Sequence, residues 1–411
     1  MQSPSPDSPE PSKPGKGKWR RLPKGVWAMG FASLFMDTSS ELIHSLLPVF
    51  MVTVLGASMV TVGIVEGISE AAAAITKVFS GALSDLLRKR KFLMVSGYAL
   101  AALTKPVFPL AQSIHWVFAA RVVDRVGKGI RGAPRDALIA DLVQPKVRGA
   151  AYGLRQALDS VGALLGPLLA VALMLYLADN MRAAMWVAIV PAVLCVLILV
   201  MFVRDPDHKQ TGNGRVALLV EGAKRLPLRY WLVVAVGAVF TLARFSEAFL
   251  VLRAQDAGME LAYVPAVMIV MNLFYAGAAY PAGAAADHTS ARTLLFYGLA
   301  ILIAADLLLA FASSFPLVLV GAALWGLHMA FTQGLLSKLV ADTAPADLLG
   351  SAFGVFNLVT GIALLLASVI AGALWSAAGP LATFLTGAGF ATVAAIGLLA
   401  GRHGRDRQST L

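Results

Sequence analysis

The feature that most constrains this chain is a series of apolar runs, each long enough to cross a lipid bilayer. A transmembrane helix needs about 20 mainly apolar residues. The mean hydropathy of +0.75 excludes a water-soluble globular fold, because too few polar groups remain to cover its surface. We therefore expect an all-α membrane protein with twelve transmembrane helices. The runs fall at about 25–55, 60–85, 91–111, 116–142, 148–178, 183–203, 230–253, 262–286, 292–312, 316–341, 350–376 and 380–400.

The order of apolar and polar segments predicts two bundles joined by a polar linker. The Pro/Ser-rich and then basic start lacks the apolar core of a cleavable signal, so we expect a disordered tail there. Cys195 is the one cysteine of the chain, which excludes an intrachain disulfide and a thiolate metal cluster. The expected segments are a disordered cytoplasmic tail at 1–24, an N-terminal six-helix bundle at 25–203, a cytoplasmic linker at 204–229, a C-terminal six-helix bundle at 230–401 and a cytoplasmic tail at 402–411.

Lys and Arg residues concentrate in the tails and in alternate loops. The segments 1–24 and 204–229 carry six each. Since cytoplasmic loops are enriched in these residues, we expect a multi-pass protein of the cell inner membrane with both termini cytoplasmic. The net charge of +11 then reflects topology and attraction to the membrane surface, and we expect no nucleic-acid partner.

Two halves of the chain repeat each other. LIADLVQPKVRGAAYG (138–153) aligns with LVADTAPADLLGSAFG (339–354) at an offset of 201 residues, which matches Asp141 with Asp342. GALSD (81–85) likewise matches GAAAD (283–287). A duplicated six-helix unit keeps both halves in the same orientation, so the repeats are parallel and a cavity is expected between them near the bilayer midplane.

Three stretches of the first half resemble the signatures of the major facilitator superfamily. They are GALSDLLRKRK (81–91), RVVDRVGKG (121–129) and GLRQALDSVGALLGPLLA (153–170). The resemblance implies a cytoplasmic charge lock in the first stretch, where Leu86 and Arg88 depart from the usual Arg and Gly, and proton transfer in the second. The expected gate residues are Gly81, Asp85, Arg88, Arg135, Asp141, Asp287 and Asp342.

The third stretch resembles the helix 5 signature of the superfamily's antiporters. Its spacing is that of Gly153, Gly162, Gly166 and Pro167, while Ala170-Val171 stands where the signature closes with a glycine pair. We expect the glycines to pack helix 5 against the other half and Pro167 to bend it. Close packing without an antiporter function is the alternative.

Ionisable residues inside the spans mark candidate pathways, because a charge in the membrane is costly. Asp37 and Glu41 lie near the bilayer centre on helix 1 and are the first candidates for proton coupling, followed by Asp124 and Asp159. For the last two, a structural role as counter-ions to Arg121, Arg125 and Arg155 is the alternative.

The same residues limit the substrate. The basic side chains of helices 4 and 5 exceed their acidic neighbours, which favours an anionic or carboxylate-bearing substrate. Four acidic residues of helices 1 and 2 favour instead a cationic substrate, and His44 beside Glu41 suggests a divalent metal ion. Three ligand types on one helix face do not, however, make a coordination shell. Expected cavity residues are His44, Glu66, Glu70, Arg121, Arg125, Lys128, Arg155, Arg244 and Glu247, with Phe240, Asn272, Tyr275 and Trp325 as further lining residues.

Together these observations predict a monomeric secondary active transporter that works by alternating access. The preferred mode is proton-coupled efflux of a small anionic or amphipathic molecule. Proton-coupled uptake of an anionic nutrient or metal chelate is the alternative, and a non-transporting sensor or scaffold is the alternative of another class. GKGIRG (127–132) matches a dinucleotide fingerprint but lies in a span, so we expect no cofactor. We also expect no resident metal. Because the sequence shows no nucleophile and base set and its extramembrane segments are short, we expect no enzymatic activity.

Overall fold

The computed structural model describes residues 22–87, 89–144, 147–205, 225–345 and 348–406. Within these ranges, side chains are described except at 81–83, 85–87, 286–288, 334, 337, 350 and 399–406. All regular structure in the described ranges is helical, which confirms the predicted all-α class.

The first half comprises eight helical segments in the described part of the chain. They are α1 (Lys24–Thr53), α2 (Met59–Leu87), α3 (Arg90–Thr104), α4 (Val107–Leu110), α5 (Ile114–Leu142), α6 (Arg148–Tyr176), α7 (Met181–Val187) and α8 (Ile189–Phe202). The second half comprises α9 (Leu228–Leu242), α10 (Ala248–Asp256), a 3₁₀ turn (Leu261–Tyr263), α11 (Ala266–His288), α12 (Ala291–Phe311), α13 (Phe315–Thr343) and α14 (Leu349–Asp406).

Eight of the described segments are long and apolar enough to span a membrane, so the chain is a multi-pass membrane protein. The longest, Ser351–Leu398, has 48 residues and bends at Gly379, whose φ of 79° is readily adopted only by glycine, just before Pro380. α1 and α5 have 30 and 29 residues, but their charged side chains lower their hydropathy. The count of twelve crossings therefore stays a prediction. The eight segments are Met59–Ser80, Arg90–Leu110, Arg148–Tyr176, Met181–Phe202, Leu261–Ala285, Ala291–Phe311, Phe315–Thr343 and Ser351–Leu398.

The two halves repeat the same packing. In the first, α3 and α2 pack against α5 and α1 packs against α6; in the second, α12 and α11 pack against α13 and α9 packs against α14. The helices α12, α13 and α14 each begin 201 residues after α3, α5 and α6. This offset equals the one in the sequence alignment, so the duplication predicted from sequence is present in the fold.

Glycines bring the helices of the first half close together. A Cβ at Gly162 would lie 2.5 Å from the Leu34 carbonyl oxygen, and one at Gly166 would lie 2.8 Å from the Thr38 carbonyl oxygen. α1 and α6 are therefore parallel and in near backbone contact. The expectation that these glycines face the other half is corrected, since their partner is α1 of the same half. At Gly153 a Cβ would meet nothing within 4 Å, so that glycine makes no close contact.

Candidate functional site: a central cavity

A cavity of about 750 Å³ lies between the two halves, within the range of small-molecule sites. Its polar and charged walls come from both bundles. The first half contributes Asp37, Glu41, Glu70, Lys77, Lys128, Arg131, Arg135, Asp136, Arg155, Gln156, Asp159 and Ser160. The second half contributes Thr241, Arg244, Asn272, Tyr275, Gln333, Asn357 and Thr360, together with the apolar rings of Phe240 and Phe356.

The cavity extends toward the side of the molecule on which α1 begins, which we call the open side. Its residues on α2 and α5 lie from the middle toward the ends of those helices, and its residues on α6 and α14 lie between the starts of those helices and the middle of each span. On the opposite, closed side, α2 meets α14 through backbone contacts. The Gly63 backbone lies against Ser368, and the Gly372 backbone lies against Met59. This seam separates the cavity from the closed side.

Each carboxylate in the cavity wall has a basic side chain as its neighbour. Arg155 Nη1 lies 2.7 Å from Asp159 Oδ2, and Arg135 Nε lies 3.2 Å from Asp136 Oδ1. The remaining distances are 3.0 Å for Arg125 Nε to Glu70 Oε1, 3.4 Å for His44 Nδ1 to Glu41 Oε2 and 3.9 Å for Arg131 Nη2 to Asp37 Oδ1.

Two cations of the wall have no such partner. Lys77 on α2 and Lys128 on α5 are both exposed to the cavity, and no carboxylate oxygen of a described residue lies within 4.0 Å of either Nζ atom. The two helices touch at Gly129, where a Cβ would lie 2.8 Å from the Ala73 carbonyl oxygen. The lysines therefore flank one helix contact, and they give the cavity a cationic surface available to an anion.

A buried polar network joins the cavity to the seam. Glu66 Oε2 accepts a hydrogen bond from Arg121 Nη2 at 2.9 Å, lies 3.6 Å from His44 Nε2 and accepts from Ser246 Oγ at 3.4 Å. The other ring nitrogen of His44 faces Glu41 in the cavity wall. Because Ser246 belongs to the second half, Glu66 is a point of contact between the halves.

Ser246 occupies a break in the helix that the sequence predicted to be continuous over 230–253. α9 ends at Leu242 and α10 begins at Ala248. The N–H of Ser246 donates to Ser368 Oγ at 3.3 Å, so the seam residue of α14 satisfies part of the opened backbone.

The structure divides the predicted substrate and proton residues into two groups. Asp37, Glu41, Glu70, Lys128, Arg155, Asp159 and Arg244 line the cavity. The expected lining positions of His44, Glu66, Arg121, Arg125, Glu247 and Trp325 are corrected, since none of these side chains is among the described lining residues, and the proton-coupling candidate Asp124 is not among them either. Most of these are buried against neighbouring helices, where charged groups pair with one another rather than with solvent. Phe240, Asn272 and Tyr275 do line the cavity.

Asp124 shows how the pairing differs from expectation. Its partner is Lys105 on the loop after α3, with Nζ 2.9 Å from Oδ1, rather than Arg121 or Arg125. The same ammonium donates to Ser40 Oγ at 2.9 Å. Asp159 does pair with Arg155, as its alternative role of structural counter-ion required.

The predicted gate residues lie in different surroundings. Arg135 lines the cavity and donates to Ser33 Oγ and Tyr98 OH at 3.0 and 3.2 Å. Asp141 pairs with Arg90 of α3, and Asp342 is exposed. Gly81, Asp85, Arg88 and Asp287 lie outside the residues whose side chains are described.

Sequence reasoning missed several lining residues, of which Gln333 is the most informative. Its carboxamide lies 3.1 Å from Tyr275 OH and within 3.3 Å of the Arg244 guanidinium, and the orientation that satisfies both neighbours points the oxygen at Arg244 and the nitrogen at Tyr275. A glutamine in an apolar span was the available signal. Among described residues, no group of three or more His, Cys, Asp and Glu side chains is arranged to hold a metal ion.

Comparisons with known proteins identify the family. A family model described as Major Facilitator Superfamily matches residues 29–273 and 248–410. The chain is 34% identical over 386 residues to the uncharacterized MFS-type transporter MJ1317 of Methanocaldococcus jannaschii, covering 92% of this chain and 95% of that protein. It is 31% identical over 359 residues to the uncharacterized protein Rv2265 of Mycobacterium tuberculosis, covering 86% of each. The crystal structure of the nucleoside transporter NupG shares the fold with a TM-score of 0.72 at 14% identity, covering 91% of this chain and 98% of that one.

Proposed function

The chain belongs to the major facilitator superfamily and is a membrane transporter, and from this premise we propose that it exports a small anionic solute in exchange for protons. The substrate class rests on one observation, the pair of unpartnered ammonium groups of Lys77 and Lys128 in the cavity wall. An anion that enters the cavity meets these charges without first displacing an internal carboxylate. A neutral or cationic solute gains no such interaction.

Alternating access follows from the way in which the cavity is closed. The basic tail and linker predict that the open side is cytoplasmic, so this state receives solute from the cytoplasm. Exposing the cavity to the other side requires the α2–α14 seam at Gly63 and Ser368 to part. Because one chain encloses the whole cavity between its own halves, we propose a monomer in the cell inner membrane.

Proton exchange is assigned to the acidic residues that connect the cavity with the seam. Glu41 lines the cavity, and His44 links it to Glu66 at the contact with Ser246. A proton taken up by Glu41 weakens its attraction to His44 and thereby changes the charge balance of the network that holds the halves together. Asp37, paired loosely with Arg131 at 3.9 Å, is the second exchange site.

Export is favoured over uptake by the glycine pattern of α6, which resembles that of antiporters. The contact of Gly162 and Gly166 with α1 supports a helix pair that moves as one unit and carries Asp37 and Glu41 with it.

Purified protein in liposomes tests both the coupling and its direction. A panel of labelled small carboxylates and phosphates is loaded on one side, and a pH gradient of either sign is imposed. Antiport predicts that solute moves against the proton flow. Movement of solute with protons supports the uptake alternative, and the absence of any gradient-driven movement across the panel contradicts the proposal.

A further inference from the structure

A buried carboxyl group in the second half has no part in the cavity. Asp306 lies on α12, is 0% exposed, and neither of its oxygens has a hydrogen-bond partner among the described residues. The carboxyl group lies against the Gly387 backbone of α14, and the Phe245 ring borders the same position. A Cβ at Gly387 would lie 2.7 Å from Asp306 Oδ2 and 3.1 Å from the ring.

The internal repeat explains why this carboxyl group is alone. The 201-residue offset places Asp306 at the position of Lys105, and Trp325 at the position of Asp124. In the first half these positions form a neutralised ion pair at 2.9 Å. In the second half the cation is replaced by an acid and the carboxylate by an indole, whose Nε1 also has no described partner. The second-half site therefore contains a titratable carboxyl group without a counter-charge.

The elements packed around Asp306 supply no replacement. On α13 the titratable residue of the same face is His328, whose Nδ1 lies 2.8 Å from the Gly298 carbonyl oxygen. α14 carries no ionisable residue from 349 to 401. On α10, Arg253 is engaged by the Leu309 and Ala312 carbonyl oxygens and by Asp256. The break between α9 and α10 contributes Arg244, which lines the cavity and faces Glu247.

An ionised carboxylate in such a place is strongly unfavourable, whereas a neutral acid is tolerated. We infer that Asp306 binds a proton in this cavity-open state and is a further proton site of the transporter, in the half opposite to Glu41 and Asp37. Its role in transport rests on the proposed function, but its protonation does not.

A row of aromatic rings leads from the cavity wall toward this site. Phe240 lines the cavity and stacks on His328 with ring centroids 5.3 Å apart. His328 Nε2 and Trp325 Nε1, one turn apart on α13, both lack described partners. The rings of Trp325 and Phe245 are 5.4 Å apart, so this row ends beside the Asp306 site.

The site also borders the helix break that contacts the first half. Phe245, whose ring lies near Gly387 beside Asp306, precedes Ser246. The Ser246 hydroxyl donates to Glu66, and the Ser246 N–H donates to Ser368. Loss of the proton leaves a negative charge beside Phe245. This charge displaces the helix break at Ser246 from the α2–α14 seam. Proton release at Asp306 is thereby linked to opening of the closed side.

Isotope-edited infrared spectroscopy tests the protonation. Full-length protein labelled with carbon-13 at the aspartate side-chain carboxyl is reconstituted in liposomes at neutral pH. The wild type is expected to show the carbonyl band of a protonated carboxylic acid, which Asp306→Asn loses. Asp179→Asn, in an exposed loop position with φ of 63° that asparagine also adopts, retains the band. A wild-type spectrum without the band, or an Asp306→Asn spectrum that keeps it, overturns the inference.

Transport by the same variants tests the coupling. Asp306→Asn mimics the protonated state permanently, so it is expected to lose pH-gradient-driven accumulation of the labelled carboxylates and phosphates while exchange of solute is retained. Gradient-driven accumulation equal to wild type overturns the role in transport. If the wild type itself shows no gradient-driven movement, the proposed function fails, and the infrared result still decides the protonation. Asp306→Glu keeps an acid with a displaced band and serves if the asparagine variant does not fold.

Discussion

Lys105 and Asp124 form an ion pair inside the first bundle, with Nζ and Oδ1 2.9 Å apart and side-chain exposures of 1% and 5%. The pair joins the end of the α3–α4 span to α5, and Ser40 of α1 supplies a further acceptor to the ammonium. Three helices of the bundle are thus held by one buried cation.

Removal of either partner is expected to destabilise the protein strongly. Lys105→Met leaves an unpaired carboxylate and Asp124→Asn leaves an unpaired ammonium, and each is expected to lower the free energy of unfolding by about 3–5 kcal/mol. The melting temperature in detergent measures the effect. Asp256→Asn, which removes a half-exposed partner of Arg253, is the matched control, with an expected loss of about 1 kcal/mol or less. If Lys105→Met and the control melt alike, the ion pair is not structural.

The close contact of α1 and α6 predicts opposite effects of alanine at two glycines of one helix. Gly166→Ala places a Cβ 2.8 Å from the Thr38 carbonyl oxygen and the Leu42 nitrogen, so it is expected to destabilise by about 1–3 kcal/mol. Gly153→Ala meets nothing within 4 Å and is expected to stabilise by about 0.5–1 kcal/mol through helix propensity. Thermal unfolding of both variants in one detergent tests the two predictions. Equal shifts of the melting temperature would contradict the close contact of α1 and α6.

The broad architecture of this chain is predictable because the bilayer demands long apolar helices and because the halves repeat. The limits appear where tertiary contacts override local preference. No local signal separates Ala243–Glu247 from a continuous helix, since the break depends on Ser368 and Glu66 of distant helices. The bend at Gly379, by contrast, lies between the predicted runs 350–376 and 380–400, so the sequence indicated this boundary.

The site was predictable in composition but only partly in arrangement. Helical spacing correctly placed Glu41 and His44 near each other, but it does not reveal which neighbour each residue faces. Glu41 lines the cavity while His44, three residues later, is turned toward Glu66. The pairing of Asp124 with Lys105 rather than with an arginine of its own helix was hidden for the same reason.

The seam between α2 and α14 is expected to control which side is open. Gly63→Ala inserts a Cβ against the Ser368 backbone, so it is expected to shift the population toward states with the closed side parted. Spin labels at Ser58→Cys and Glu260→Cys, in a Cys195→Ser background, report the distance across that side. Gly277→Ala on α11, where a Cβ meets nothing within 4 Å, is the control. An unchanged distance distribution in Gly63→Ala would argue against the seam as the closing contact.

The unpartnered lysines are expected to dominate anion binding. Lys77→Gln and Lys128→Gln each remove one charge-assisted interaction, so each is expected to weaken anion binding by about tenfold or more. Titration of the purified protein with inorganic phosphate and small carboxylates, followed by thermal shift, measures the change. Lys89→Gln, an exposed lysine at the start of α3, is expected to leave it unchanged. Equal anion responses in all three variants would remove the basis for an anionic substrate.

The most direct measurement of the central claim is the internal pH of liposomes that contain the protein and a trapped pH-sensitive dye. When an anion identified in the transport panel is added outside, solute entry is predicted to drive protons outward, so the interior becomes alkaline. The Lys77→Gln/Lys128→Gln double variant is predicted to abolish this change. An interior that acidifies as the anion enters, or that alkalinises equally with the double variant, would contradict proton-coupled anion antiport through this cavity.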